Sequence, residues 1–464
     1  MKMEDAWRPV DEVVGTAVDT LIYGVCRDDG MYYDTKVGKM FCETSRPVKS
    51  AHYWRAYKCM KSLVDRGLDP LSLLANRAHS KGMEFLASLR MASTEAIDPP
   101  GATFPASGAG LSDAGFREQQ MKVIREMASY DVEGVELDFA AYPSGMQPFL
   151  PPGQESKYVD VLTEQVRQAS RAVRERNARP GLVGARVYVT EEMNLRHGMD
   201  VRAWLKEGLL DYVVPMLYIY ADFDINMPID WIIGPAHEAD VSVYGFMQHY
   251  ARSTFSGAPI NVYPTTEMAR AVIANHWDRG VDGIYTHALH WPFGSLECSI
   301  LTEMGDPEIV READKRYFLN KRTEKGAEMG YPAPLPVTLS SAALGTPHEI
   351  RFRIADDVEG NSKQVRLVKL KVLVTNLLAA DTIRFKLSGK PLDDEHVTSY
   401  HGGGVSLRDF RSTIQEFNLG SVRPKKGDNV LTVSLDSRPE DMAGDATVEE
   451  VEVIIEYTPF PSGI

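Results

Sequence analysis

The stretch 131-DVEGVELDFAAYP-143 decides how this 464-residue chain reads. Val135, Leu137 and Phe139 alternate with Glu136 and Asp138, the period of an extended strand. The apolar set can pack under helices, which leaves the two carboxylates together on the opposite face. Similar short apolar runs recur on either side: 19-DTLIYGV-25, 83-MEFLASLR-90, 183-VGARVYVT-190, 211-DYVVPMLY-218, 241-VSVYGFMQ-248 and 282-DGIYTHAL-289. Helical patterns separate them. Tyr158, Leu162, Val166, Ala169 and Val173 mark one buried helix face, and Met121, Ile124 and Met127 mark another. Asp306 followed by Pro307 is a cap and first-turn proline, and predicts a last helix through Phe318.

Strand–helix alternation predicts parallel strands joined by right-handed crossovers. The expected fold class is α/β, a (β/α)8-type TIM barrel followed by an antiparallel β-sandwich. A closed barrel of this type has eight strands, and the runs supply seven. The segment 9-PVDEVVGTAV-18 reads as a helix, with only eight residues ahead of it for a missing first strand. We expect the barrel domain over 1–325, a Pro- and Gly-rich linker over 326-GAEMGYPAPLPV-337, and the sandwich over 338–464. In that last part the period becomes two: Ile383, Phe385 and Leu387, then Leu431, Val433 and Leu435, then Val451, Val453, Ile455 and Tyr457. Gly402, Gly403 and Gly404 have no strand-to-helix context for a phosphate loop.

Composition narrows the function classes. Apolar residues make up 44% and the net charge is −14, so the surface disfavours nucleic acid and anionic membranes. No apolar run is long enough to span a bilayer. The start MKMEDAWRPV has no export-signal pattern. That predicts a cytoplasmic protein, or a secreted or periplasmic one if a signal was removed. Cys26, Cys42, Cys59 and Cys298 match neither a zinc site nor a disulfide framework. Oligomeric state is not readable.

Active sites of parallel barrels lie at the carboxyl ends of the strands. Two inward carboxyls there push their pKa values apart, and one protonated acid beside one ionised acid is what glycoside hydrolysis uses. Asp138 is the expected ionised group, nucleophile or electrostatic stabiliser. Glu136 tunes it or meets a substrate hydroxyl. The structural alternative is that Glu136 only pairs with an arginine of a neighbouring strand. Glu191 is the expected general acid, with Asp222 and Asp224 as further candidates. Tyr23, Arg90, Arg186, Tyr188, Tyr218, His287, His290 and Trp291 are the expected substrate contacts, the aromatic faces suiting sugar C–H groups. Arg90 and Arg186 can also pair with Glu136 or Asp138, or bind an acidic sugar. His287 and His290 fall on opposite faces of a strand, so no metal pair is expected, and no cofactor.

The string 130-YDVEGVELDFAAYP-143 resembles the strand signature of the glycosyl-hydrolase-like, family 10-like barrels. So do 182-LVGARVYVTEEMNLRHGMDVRAWLKEGLLDYVVP-215 and 79-HSKGMEFLASLRM-91, and together the likeness spans most of residues 10–300. It implies a TIM barrel acting on a carbohydrate substrate. The strand is also similar to the family 18 chitinase pattern, but the position of that family's catalytic acid is Ala140, which has no proton to give. Two other functions remain: a non-catalytic carbohydrate-binding barrel, and a metal-dependent lyase or isomerase on sugar acids.

Overall fold

The computed structural model describes residues 1–458 except 28–29, 43–47, 49, 92–108, 141–149, 152, 177–179, 217–222, 249–250, 254–259, 287–288, 290–291, 320, 322 and 402–411. The chain divides into two compact units, Met1–Tyr218 with Pro228–Tyr244, and Ile219–Met227 with Gly245–Ile464.

In the first unit, short strands follow one another in parallel register: β1 (Thr20–Gly24), then, after a small hairpin of β2 (Cys26–Arg27) and β3 (Gly30–Met31), β4 (Glu84–Arg90), β5 (Gly134–Asp138), β6 (Leu182–Val187), β7 (Tyr212–Pro215) and β8 (Ser242–Met247). Helices fill the crossovers: α1 (Met3–Asp11) opens the unit, followed by α2 (Ala51–Val64), α3 (Pro70–Ser80), α4 (Ala114–Ala128), α5 (Val159–Arg174), α6 (Glu191–Arg196), α7 (Val201–Lys206) and α8 (Asp230–Glu238). Their starts are set by side chains that satisfy the first-turn N–H groups. Asp69 accepts from Leu71 N ahead of Pro70, Asp113 from Phe116 N, Thr190 from Met193 N and Asp200 from Ala203 N. The expected faces of α4 and α5 are buried, with Ile124, Leu162, Val166, Ala169 and Val173 inaccessible to solvent.

The second unit continues with a short antiparallel ribbon of β9 (Ala251–Ser253) and β10 (Ile260–Val262), then α9 (Thr266–Arg279), β11 (Gly283–Thr286), α10 (Ser295–Glu303) and α11 (Pro307–Arg311). The parallel sheet has seven strands in the order β1-β4-β5-β6-β7-β8-β11. Among the described residues it is a seven-stranded parallel half-barrel with helices, and an eighth strand is not among them. The N-terminal helix lies earlier than expected. It covers Met3–Asp11, with Glu4 and Asp5 in the first turn where the helix dipole favours acids, and Gly15 lies beyond its end at φ +88°.

The antiparallel part comprises β12 (Lys315–Phe318), α12 (Glu324–Met329), β13 (Val337–Leu339), β14 (His348–Ile354), β15 (Val365–Thr375), β16 (Thr382–Leu387), β17 (Lys390–Pro391), β18 (His396–His401), β19 (Ser412–Asn418), β20 (Gly427–Ser437) and β21 (Ala446–Tyr457). One sheet runs β12-β21-β15-β19-β18, with β13 also on β21, and the other β14-β20-β16-β17. The rings of Phe385 on β16 and Phe417 on β19 meet edge to face at 5.1 Å, so apolar faces of the two sheets pack together. The cap at Asp306 holds, but α11 stops at Arg311. Residues 315–318 form β12 against β21 instead of the expected last turns of a helix. The reason lies in Lys315 and Tyr317, whose polar ends reach a buried partner, Asp356, just after β14. Part of the expected linker is α12, and β13 begins at its end.

Candidate functional site: a carboxylate pair on one guanidinium

All five residues of β5 are buried, as expected of a strand covered on both faces of a parallel sheet. Two of them are nevertheless acids. Glu136 stands in register with Ser88 on β4 and Gly184 on β6, and Asp138 with Arg90 and Arg186. The two carboxyls share one face because their positions differ by two, an axial separation of about 6.6 Å along a strand.

Arg186 reaches both acids. Its Nε lies 2.9 Å from Glu136 Oε1 and its Nη2 2.5 Å from Asp138 Oδ2. Nη2 also donates to Ser88 Oγ at 3.0 Å, and the Ser88 hydroxyl donates to Glu136 Oε1 at 2.7 Å. Tyr212 Oη donates to Glu136 Oε2 at 3.2 Å. Glu136 is fully inaccessible to solvent and Asp138 is 1% exposed. Burial pushes the Glu136 carboxyl up from the ordinary glutamate range. Arg186 pulls it back, Asp138 pushes it further up, and the hydroxyls of Ser88 and Tyr212 favour the charged form. The mutual repulsion of the two carboxylates acts across the Arg186 guanidinium when both are ionised. Glu136 is where a proton relieves it.

A glycine makes this geometry possible. Gly184 is opposite Tyr212 in the β6–β7 register, and a Cβ at Gly184 would fall 1.9 Å from Tyr212 Cζ. Only with no side chain there can the phenol cross β6 to Glu136.

The other expected residues are placed as follows. Tyr23 stacks on Phe85 at 6.1 Å and its hydroxyl donates to Tyr32 O at 2.9 Å. Burial raises its phenol above the ordinary range. Arg90 ends β4, half-buried, beside Asp138 in register. Tyr188 is buried with its ring 4.6 Å from that of His197, and Asn194 brackets its backbone through Oδ1 and Nδ2. Glu191 opens α6 and accepts from Arg202 Nε at 2.5 Å and Nη2 at 3.1 Å. Asp224 is buried in the second unit, where the Tyr331 hydroxyl and Asn226 N (2.7 Å) donate to it, and burial raises its carboxyl. Tyr218, Asp222, His287, His290 and Trp291 lie outside the described residues. The structure thus joins Glu136, Asp138 and Arg186. It adds Ser88, Tyr212 and Gly184, none singled out by sequence. Their signal was a serine and a glycine interrupting strands otherwise made for burial, and a tyrosine opening β7.

Among the described residues, no cluster of three or more His, Cys, Asp or Glu side chains could hold a metal ion. The four cysteines are unbridged, Cys26 and Cys42 in the interior.

No family model matches the sequence, and no curated protein matches it. Solved structures of glycoside hydrolases do resemble the chain. An α-L-fucosidase from Vibrio sp. strain EJY3 is 10% identical with a TM-score of 0.37, over 96% of this chain and 86% of that one. A family 18 N-acetylglucosaminidase from Paenibacillus barengoltzii is 12% identical with a TM-score of 0.36, over 66% and 95%. A GH113 β-1,4-mannanase is 13% identical with a TM-score of 0.34, over 62% and 82%. Likeness at this level transfers neither residue roles nor activity.

Proposed function

We propose that this chain hydrolyses a glycosidic bond of an oligo- or polysaccharide at the carboxyl end of β5, within a TIM-barrel architecture related to the family 10-like hydrolases. The observation that carries the reading is the pairing of Glu136 and Asp138 on one guanidinium. Two buried acids on one strand face, one pushed up by burial and by its neighbour, are the kind of perturbed pair that marks functional sites. Asp138, the last residue of β5, is the ionised group. It stabilises the oxocarbenium-like transition state or attacks the anomeric carbon. Arg186 orients it. Glu136, pushed toward the protonated form, tunes the charge that Asp138 presents. Glu191 remains the candidate proton donor, and must leave Arg202 to serve. No cofactor is required.

A second reading, a carbohydrate-binding barrel without turnover, is favoured by two observations. The Asp138 side chain is covered, and Ala140 occupies the position where the chitinase pattern carries its acid. Reducing-sugar release from a polysaccharide and aryl-glycoside panel separates the two. Wild type should release sugar, and Asp138→Asn should lose about 10²–10⁴-fold in kcat with its melting temperature kept. Full activity in Asp138→Asn ends the mechanism. Glycan binding with no release from any substrate supports the second reading.

A further inference from the structure

The connection from β1 to α3 runs over residues 25–69. A strand-to-helix connection in a sheet of this kind usually takes about 2–6 residues, and long ones tend to carry function. This one has elements of its own, the β2–β3 hairpin and α2, and a small core of its own. Tyr57 and Met60 of α2 pack with Phe41 and Cys42. The ring of Phe41 also meets those of Tyr32 at 4.9 Å and Tyr53 at 5.8 Å. That packing fixes which side of α2 is buried, and so which side faces water. Trp54, Arg55 and Lys58 fall within about 100° of one another on the outer side, and all three are exposed.

The outer side of α2 runs against the charge of the whole chain. The net charge is −14, yet between Val48 and Arg66 stand five Lys or Arg residues and a single acid, Asp65. Lys61 already holds Asp65 at 2.6 Å. No acid stands three or four residues from Arg55 or Lys58, and neither has a carboxylate partner among the described residues. Arg55, Lys58 and Lys61 instead follow one another at a spacing of three, which sets like charges side by side on the helix and weakens it. Trp54 is 51% exposed, and Lys58 Nζ lies 5.5 Å from its ring centre. An anion laid along this face would relieve the repulsion, and an apolar surface would cover the indole.

The two needs together describe the partner. An indole face takes the C–H face of a pyranose, and the Arg55 fork and the Lys58 ammonium take carboxylates. A neutral glycan leaves the cations unmatched. Duplex nucleic acid, with one charge per about 1.7 Å, or an extended anionic bilayer would press many charges against the acidic remainder of the surface. A chain with one carboxylate per sugar is sparse enough to meet α2 alone. We propose that the outer face of α2 binds an acidic polysaccharide of the polyuronate class, a sugar ring lying on Trp54 and carboxylates meeting Arg55 and Lys58. This face does not depend on hydrolysis at β5.

Isothermal titration of the full chain at low salt with polygalacturonate and with alginate tests it. Amylose is the neutral control, and oligothymidylate and phosphatidylglycerol vesicles are the other anions. At least one polyuronate should bind, more tightly than any control, and high salt should release it. Arg55→Glu combined with Lys58→Glu should weaken binding about tenfold or more, and Trp54→Ala about threefold or more. All three positions are exposed, so both variants should keep the wild-type melting temperature. Asp138→Asn should bind as wild type does, which separates this surface from any turnover. No heat with either polyuronate, an unchanged affinity in either α2 variant, or tighter binding of amylose, oligothymidylate or the vesicles would overturn the proposal.

Discussion

On β5 two carboxylates share one guanidinium, whereas on β12 Lys315 faces a single carboxylate. Lys315 Nζ donates to Asp356 Oδ1 at 2.8 Å and to the carbonyls of Arg311 and Ala313 at 3.0 Å each, so its three protons are all placed. Asp356 also accepts from the hydroxyls of Tyr317 and Tyr457. Both clusters are as buried as charges become in a protein. The β12 cluster is balanced in charge and closed in hydrogen bonding, which is the form of a structural anchor. The β5 cluster holds two mutually repelling acids on Arg186, an electrostatic imbalance. Natural cores tolerate such an imbalance where a proton or a charge is to be used.

Four experiments would break or sharpen that contrast. The largest effect is expected from Lys315→Met, which leaves Asp356 buried without a cation and should cost about 3–5 kcal/mol in urea denaturation. A loss below about 1 kcal/mol would show that the two tyrosines alone hold Asp356. Arg186→Met is the parallel change on β5. Because Glu136 can take up a proton, its penalty should be smaller at pH 5 than at pH 8, a difference that Lys315→Met lacks if the contrast is right.

Acid should also separate the two units. His276, buried in the second unit with Nε2 3.0 Å from Phe246 O, is lowered to about 4 by burial. Its folded-state value lies below the unfolded one, so its contribution is present above the unfolded value and is lost as pH falls through the folded value. That loss amounts to about 3 kcal/mol at 1.36 kcal/mol per unit. Glu136 shifts the other way. Its raised carboxyl contributes stability below the ordinary glutamate range that fades as pH rises through the folded value. Hydrogen exchange by mass spectrometry from pH 7 to 4.5 should show protection falling around α9 while β5 holds. His276→Gln should flatten the fall at α9, and Glu136→Gln should remove the acid-side hold at β5. Equal responses in both units would remove the contrast. The smallest effect is assigned to Gly184→Ala. Its Cβ displaces the Tyr212 ring, at about 1–3 kcal/mol. Pairing it with Tyr212→Ala should recover most of that loss if the ring is what the glycine admits.

Much of the parallel sheet was legible because apolar runs and helical faces obey local periods. The β5 signature stands in that pattern, and with it Glu136 and Asp138. Arg186 was legible as a possible partner by its place on β6. Ser88 and Tyr212 were not, because register across three strands is set by tertiary pairing and a lone serine or tyrosine carries no spacing signal. The end of α11 was misread for a related reason. The segment around Lys315 continues a helical pattern locally, and only β21 and Asp356 make a strand of it.

By itself the sequence determined the alternation of strand and helix, the change to a two-residue period in the last third, and the two acids on one face of β5. Those are properties of neighbours in the chain, where backbone geometry alone decides which side chains lie together. Tertiary structure decided that one guanidinium serves both acids and that a missing Cβ at Gly184 lets Tyr212 reach Glu136. Each depends on residues far apart in the chain, and their distances exist only once the sheets have chosen their register.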